Sequence, residues 1–332
     1  MKKAREYFEY IKYIKKAAKR LCSREYLAVV VCVPIAIIAI LICVGALSSV
    51  GKDNQKAPEN TDKHTEDVTE RQTYPPSSPY SLEFQSLGDG TCLVSGIGAY
   101  RGSELIIPDK SPDGDKVIGI GSRAFESCEN LRKVELNEGL IEILDSAFLS
   151  CYQLETVTIP STVDKIGSMA FGYCTAMTKL LIGENVRTIE SSAFSHCRSL
   201  VTVKVPDSVE SLGENVFFAC EGLRSVALSK YIEVVPARTF SGCVSLQDVE
   251  LRGRVRIVDV DAFRDCKQLN NVSFSDSLEL ICERAFANCA VLTISYSGST
   301  SMWRNQVYTE RYWNEGIISL PVSCSDGTIE MK

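Results

Sequence analysis

Val163-Asp164-Lys165-Ile166-Gly167-Ser168-Met169-Ala170-Phe171-Gly172-Tyr173-Cys174-Thr175-Ala176-Met177-Thr178-Lys179-Leu180-Leu181-Ile182 is one unit of a pattern whose spacing returns through most of the 332-residue chain. Phe-x-x-Cys recurs eight times at a strict 23-residue interval, with phenylalanines at Phe125, Phe148, Phe171, Phe194, Phe217, Phe240, Phe263 and Phe286. Self-similarity at a fixed period of this length marks a solenoid. One repeat is one coil, which cannot bury its apolar face alone and is stabilised by stacking on like neighbours.

The other columns keep the same register. Aliphatic residues stand eight and five positions before each Phe, as Val163 and Ile166 do, and a Leu or Met stands six after it, as Met177 does. Nine and eleven after it come pairs such as Val157 and Ile159 or Val203 and Val205, alternating with polar residues at the period of a strand. The residue before the Phe is small or short, Ala in six coils with Val216 and Thr239 as the departures, which fits a sharp turn against a neighbour. The chain therefore reads as a β-rich solenoid of 23-residue coils whose short strands stack into a parallel β-sheet. At about 4.8 Å per coil, eight coils extend roughly 40 Å.

The pattern Ile-x-x-Ile-Gly-x-x-Ala-Phe-x-x-Cys-x-x-Leu-x-x-Val-x-Ile-Pro resembles the BspA-type leucine-rich repeat family, from about Tyr80 to the C-terminus. Upstream, Gly88 to Gly96 and then Leu105-Ile106-Ile107-Pro108 are similar to the family's N-terminal cap hairpin and first strand. Downstream, Ile294 to Gly298, Trp303, Trp313-Asn314 and Cys324 to Gly327 are similar to its closing helix and strands. After Leu292 the spacing to the next strand shortens by one residue, as an atypical terminal coil should. The resemblance implies a bacterial surface protein, in a family several of whose members bind host matrix or partner bacteria, and it implies no catalytic residues and no cofactor.

The N-terminal part bears on location. Leu27 to Leu47 is a run of 21 residues without a charge, long enough to cross a hydrocarbon core of about 30 Å as a transmembrane helix. Residues 1–26 carry nine Lys or Arg against three Glu, whereas the rest of the chain carries 27 basic against 39 acidic residues. By the positive-inside rule the N-terminus is cytoplasmic and the solenoid extracytoplasmic, in a single-pass cell-membrane protein. A cleaved signal peptide ending near Ala46-Leu47-Ser48 is the rival reading, against which the length of the run speaks. Tyr7, Phe8, Ile11, Ile14 and Leu21 leave open whether the basic segment lies on the inner leaflet or is a plain orientation signal. The expected organisation is a cytoplasmic basic segment (1–26), a membrane span (27–47), a disordered tether (48–79), an N-terminal cap (80–116), eight repeats (117–296) and a C-terminal cap (297–332).

Fourteen cysteines invite a disulfide or metal reading. Eight are repeat cysteines, which would stack with side chains parallel rather than converging, so buried thiols acting as small apolar residues are expected. No Cys-x-x-Cys or His cluster of metal-binding spacing is present. Cys22, Cys32 and Cys43 flank or sit in the apolar run, and any disulfide is to be sought among Cys92, Cys282 and Cys324. Only two histidines occur, His64 in the tether and His196 at a freely varying repeat position, so no enzyme is expected. The folded part is acidic and the basic block is explained by the adjacent span, so nucleic-acid binding is not expected either.

Binding should use the outward residues of the main sheet. The first outward column holds Lys133, Thr156, Lys179, Thr202 and Asp248, and the second Glu135, Thr158, Leu181, Lys204 and Glu250. This face bears lysine and threonine in the first coils, turns acidic near Asp248 and Glu250, and has no aromatic residue. Trp303, Tyr308, Tyr312 and Trp313 form an aromatic group suited to sealing the last coil. The functional expectation is adhesion-type recognition of a macromolecule, be it a host protein, a neighbouring cell or an envelope component. The alternative is a structural envelope component without an external ligand.

Overall fold

The computed structural model describes residues 75–289, 292–317 and 319–331. The basic segment, the apolar run 27–47 and the tether up to residue 74 lie outside the described residues, as do Cys22, Cys32, Cys43 and His64. Among the described residues no helix is long and apolar enough to cross a membrane.

About nine coils stack in register. On one side the strands Glu104–Ile106, Lys133–Glu135, Thr156–Thr158 and Lys179–Leu181 form a four-stranded parallel sheet. The same side continues as a seven-stranded sheet from Thr202–Lys204 through Ser225–Leu228, Asp248–Leu251, Asn271–Phe274 and Thr293–Tyr296. Lys133 pairs with Thr156 and Thr156 with Lys179, so the 23-residue period of the sequence is the lateral step of the sheet. Asn271 pairs with Thr293, one residue short of that step, at the position where the sequence spacing contracts. Antiparallel hairpins close both ends: Glu83–Ser86 with Thr91–Gly96, and Leu320–Cys324 with Gly327–Met331. They cover edges that would otherwise offer unpaired backbone groups.

The second strand of each coil builds another sheet, which divides between Ser211–Leu212 and Val234–Val235. The chain supplies a reason. In neighbouring coils the residue after this strand donates its N–H to the coil before, as Gly213 does to Ile189 (2.8 Å) and Asp259 to Val235 (2.9 Å). In the coil between them that residue is Pro236, which has no N–H to give.

The third side is the turn that carries the Phe. The rings stack face to face, with centroids 4.9 Å apart at Phe125–Phe148 and 5.8 Å at Phe194–Phe217, and planes within 15° throughout. All eight are fully buried. The turn holds this geometry by placing the residues two before and two after each Phe in the left-handed region, for example Met169 (φ 54) and Tyr173 (φ 60) around Phe171. Of these positions flanking the eight Phe only Gly242 is a glycine, so ordinary side chains accept a conformation that disfavours them. Inter-coil bonds offset that cost: the N–H groups of Met169, Phe171 and Tyr173 donate to Ser191, Ala193 and Ser195 of the next coil. The small residue before the Phe lets the coils approach this closely.

The repeat cysteines do more than fill space. Cys174 Sγ donates to the Phe148 carbonyl at 3.3 Å, Cys197 to Phe171 at 3.3 Å and Cys220 to Phe194 at 3.2 Å, and Cys151, Cys243, Cys266 and Cys289 repeat the contact. Cys92 and Cys324, near opposite ends of the stack, are free thiols, and Cys282 is buried. At the C-terminal end Trp313 meets Phe286 edge-on at 6.2 Å and Trp303 meets Tyr296 at 5.2 Å. Both tryptophans are buried and seal the last coil, while Tyr308 and Tyr312 of the same group are exposed. The helix Thr300–Gln306, capped by Ser299, lies in this closing segment.

Candidate functional site

The inward positions of the main-sheet strands are Val134, Val157, Leu180, Val203 and Val249, all buried. Strand alternation then turns Lys133, Glu135, Thr156, Thr158, Lys179, Leu181, Thr202, Lys204, Asp248 and Glu250 outward, exposed or half-buried. The structure brings the first six together on one sheet and the last four on the other, with the sheet division falling between Leu181 and Thr202. Leu181 and Val201 are exposed at that division, and Ile106 is exposed on the first strand.

The charges on this face are largely paired. Lys133 Nζ lies 2.5 Å from Glu135 Oε1, a hydrogen bond that raises the Lys133 pKa, and Lys204 lies 3.4 Å from Glu184. The acidic end is tempered by Arg252, 3.6 Å from Glu250 and 3.1 Å from Asp207, with Lys230 at 3.4 Å from the same aspartate. Arg252 stands just after its strand, at a position where the repeat pattern sets no rule, so nothing in the period singles it out. Such exposed pairs contribute little to stability, about 0–1 kcal/mol each, and leave the face polar and locally neutral.

The turn side shows what the periodicity did not. His196 stacks on Tyr173 at 4.2 Å and meets Phe218 edge-on at 5.3 Å. Its Nδ1 is buried without a hydrogen-bond partner, and burial, followed by the nearby Arg198, lowers its pKa, which keeps the ring neutral. Three coils further on, Asp261 is buried with Arg284 at 3.1 Å, Arg264 at 3.6 Å and Arg238 at 3.8 Å. Among the described residues no group of three or more His, Cys, Asp or Glu is placed to hold a metal ion.

Stacked strands, a phenylalanine spine and capped ends define a leucine-rich repeat solenoid, a rigid scaffold that presents long side-chain columns. Residues 110–224 and 190–312 match the BspA type leucine rich repeat region in six copies, and the chain belongs to this family. Its repeats are generally protein-binding repeats of surface proteins. A leucine-rich repeat protein of T. pallidum is 25% identical, with a TM-score of 0.53 over 57% of this chain and 88% of that one. One from Bacteroides ovatus is 24% identical, with a TM-score of 0.60 over 69% of this chain and 65% of that one, a likeness of fold. No curated protein matches the chain.

Proposed function

We propose that this is a single-pass membrane-anchored surface protein whose solenoid stands outside the cell and recognises another macromolecule through the outward columns of its main sheet. The observation that carries this reading is the regular face from Lys133 to Glu250, on which side chains of both signs and threonines stand in register on strands whose backbone is already ordered by sheet pairing. The uncharged run Leu27 to Leu47 and its basic flank supply the anchor and its orientation. A host protein, a neighbouring cell or an envelope component are the partner classes.

Protease shaving of intact cells expressing the full chain tests the topology. Release of the repeat domain supports outward exposure, whereas protection until the wall is stripped favours the alternative of an envelope component without an external ligand. Charge reversal at Lys133 and Lys179, with capture of cells or matrix as the readout, then tests the face. Undiminished capture by the reversed protein would remove this face from the reading.

A further inference from the structure

The cysteine column has an open end. Each repeat thiol from Cys151 to Cys289 donates to the phenylalanine carbonyl of the coil before. One period before Phe125 stands Gly102, so no phenylalanine carbonyl of the spine precedes Cys128. Of the eight repeat cysteines Cys128 alone is half-buried, the other seven being fully buried. A notch of about 760 Å³ opens beside it, lined in part by its neighbours Glu129 and Asn130 and by Arg101, Gly102 and Ser103, with room for a small molecule to approach.

The first step of the repeat stack is also its tightest. Phe125 and Phe148 have the closest ring centroids of the spine, 4.9 Å, and Cys151 makes the shortest thiol-to-carbonyl contact of the column, 3.0 Å to Phe125. The N–H groups of Phe125 and Ser127 donate to Ala147 (2.8 Å) and Leu149 (2.7 Å) of the next coil. Cys128 is thereby held one coil step from Cys151, roughly 4.8 Å, which lies inside the range of Cα separations that a disulfide spans. The two thiols are within hydrogen-bonding reach of each other. This end departs from the parallel arrangement of the interior thiols because no preceding carbonyl of the spine draws the Cys128 sulfur away from its neighbour.

We infer that Cys128 and Cys151 are a redox-active dithiol, which a low-molecular-weight disulfide oxidises to a Cys128–Cys151 disulfide that clamps the first repeat to the second. Cys128 attacks first. Its thiolate bonds to one sulfur of the oxidant, whose S–S bond breaks, and the other sulfur leaves as a thiolate. The Cys151 sulfur then attacks Cys128 Sγ and gives its proton to solvent, so that the protein S–S bond forms and the second small thiolate leaves. Two protein thiols lose two electrons and two protons, and the oxidant is reduced to two thiols. The order follows from the surroundings of each sulfur. The Cys151 thiol and then Arg101 lower the Cys128 pKa against partial burial, whereas the same pairing, followed by burial, raises that of Cys151. The pairing effect on Cys151 ends once Cys128 is capped and carries no charge. The dithiol is on a different side of the coil from the main-sheet face and does not depend on the reading of that face.

The test is oxidation of the full-length chain in detergent with glutathione disulfide, alkylation of the remaining thiols and mass spectrometry of the unreduced tryptic digest. Peptides 124–132 and 134–165 each carry a single cysteine, Cys128 and Cys151, and should appear joined. Cys151→Ser should instead retain Cys128 as its mixed disulfide with glutathione, and Cys128→Ser should leave Cys151 reduced. In the oxidised chain the amides of Phe125 and Ser127 should exchange at least about tenfold more slowly, because a cross-link over one period restrains opening of the first repeat. Cys197, Cys220 and Cys243 remaining reduced in the same digest shows that the stack is folded, and where a variant fails this check the wild-type digest decides. Stable glutathione on wild-type Cys128, a link from Cys128 to any other cysteine, no oxidation, oxidation of Cys151 in folded Cys128→Ser, or unchanged exchange would each overturn the inference.

Discussion

The thiol of Cys197 donates to the carbonyl oxygen of Phe171 in the preceding coil, 3.3 Å away, and this contact joins the cysteine column to the aromatic column at every step between repeats. The same carbonyl accepts the Cys174 N–H of its own coil at 3.4 Å, so both of its lone pairs are used. The Phe spine is thus held in polar as well as apolar ways.

Replacing Cys197 separates volume from bonding. Cys197→Ala should destabilise the solenoid by about 1–3 kcal/mol, through a small cavity and an under-satisfied buried carbonyl. Cys197→Ser keeps a donor and should cost less than Ala. If serine proved the more costly in denaturant unfolding, the thiol would act only as an apolar filler.

The thiols should differ sharply in reactivity. Cys128 has no repeat Phe before it in the stack, is half-buried, and has its pKa lowered by the Cys151 thiol and then by Arg101, against burial. Burial instead pushes Cys220 and Cys289 up to about 12. A thiol reagent at pH 8 should modify Cys128 rapidly and the buried column only on unfolding, and Cys128→Ser should abolish the rapid phase. A fast phase that survived in this variant would refute the assignment.

Alkaline pH should unfold the domain. The buried thiols titrate above their ordinary value of 9.0, so the unfolded chain ionises first as pH rises. Stability is full below pH 9 and falls through the window up to about 12, by about 1.4 kcal/mol per pH unit for each such thiol. A melting temperature flat from pH 8 to 11 would contradict this.

Truncation of the spine should act locally. Phe194→Ala should cost about 3–5 kcal/mol, with hydrogen-exchange protection lost in its own coil and those of Phe171 and Phe217 before the ends of the stack. Uniform loss along the solenoid would show that the coils unfold as one unit.

Restoring a donor at Pro236 should heal the second sheet. Pro236→Ala offers an N–H to the coil before, and exchange should reveal a protected amide at that position, with stability changed by less than about 1 kcal/mol because unfolded-state entropy opposes the gained bond. A freely exchanging amide there would mean that something other than the missing donor divides the sheet.

The order of amino acids alone set the coil, its period and which residues point inward, because in-register stacking turns a sequence offset of 23 into a lateral contact. Phe171 meets Phe194 and Val157 meets Leu180 for that reason alone. It also set the outward columns, since strand alternation leaves Lys133 and Glu135 no other side. Packing of the coils settled the rest, at positions where the period is silent. The thiol-to-carbonyl bonds depend on side-chain direction across coils, and the division at Pro236 on which N–H faces a neighbour. A shallow notch on the turn side joins Asn215, Arg238, Ser241 and Arg264 from three successive coils. Those residues occupy positions that vary from repeat to repeat, so no periodic rule marks them, and only the stacking distance brings their polar groups to one place.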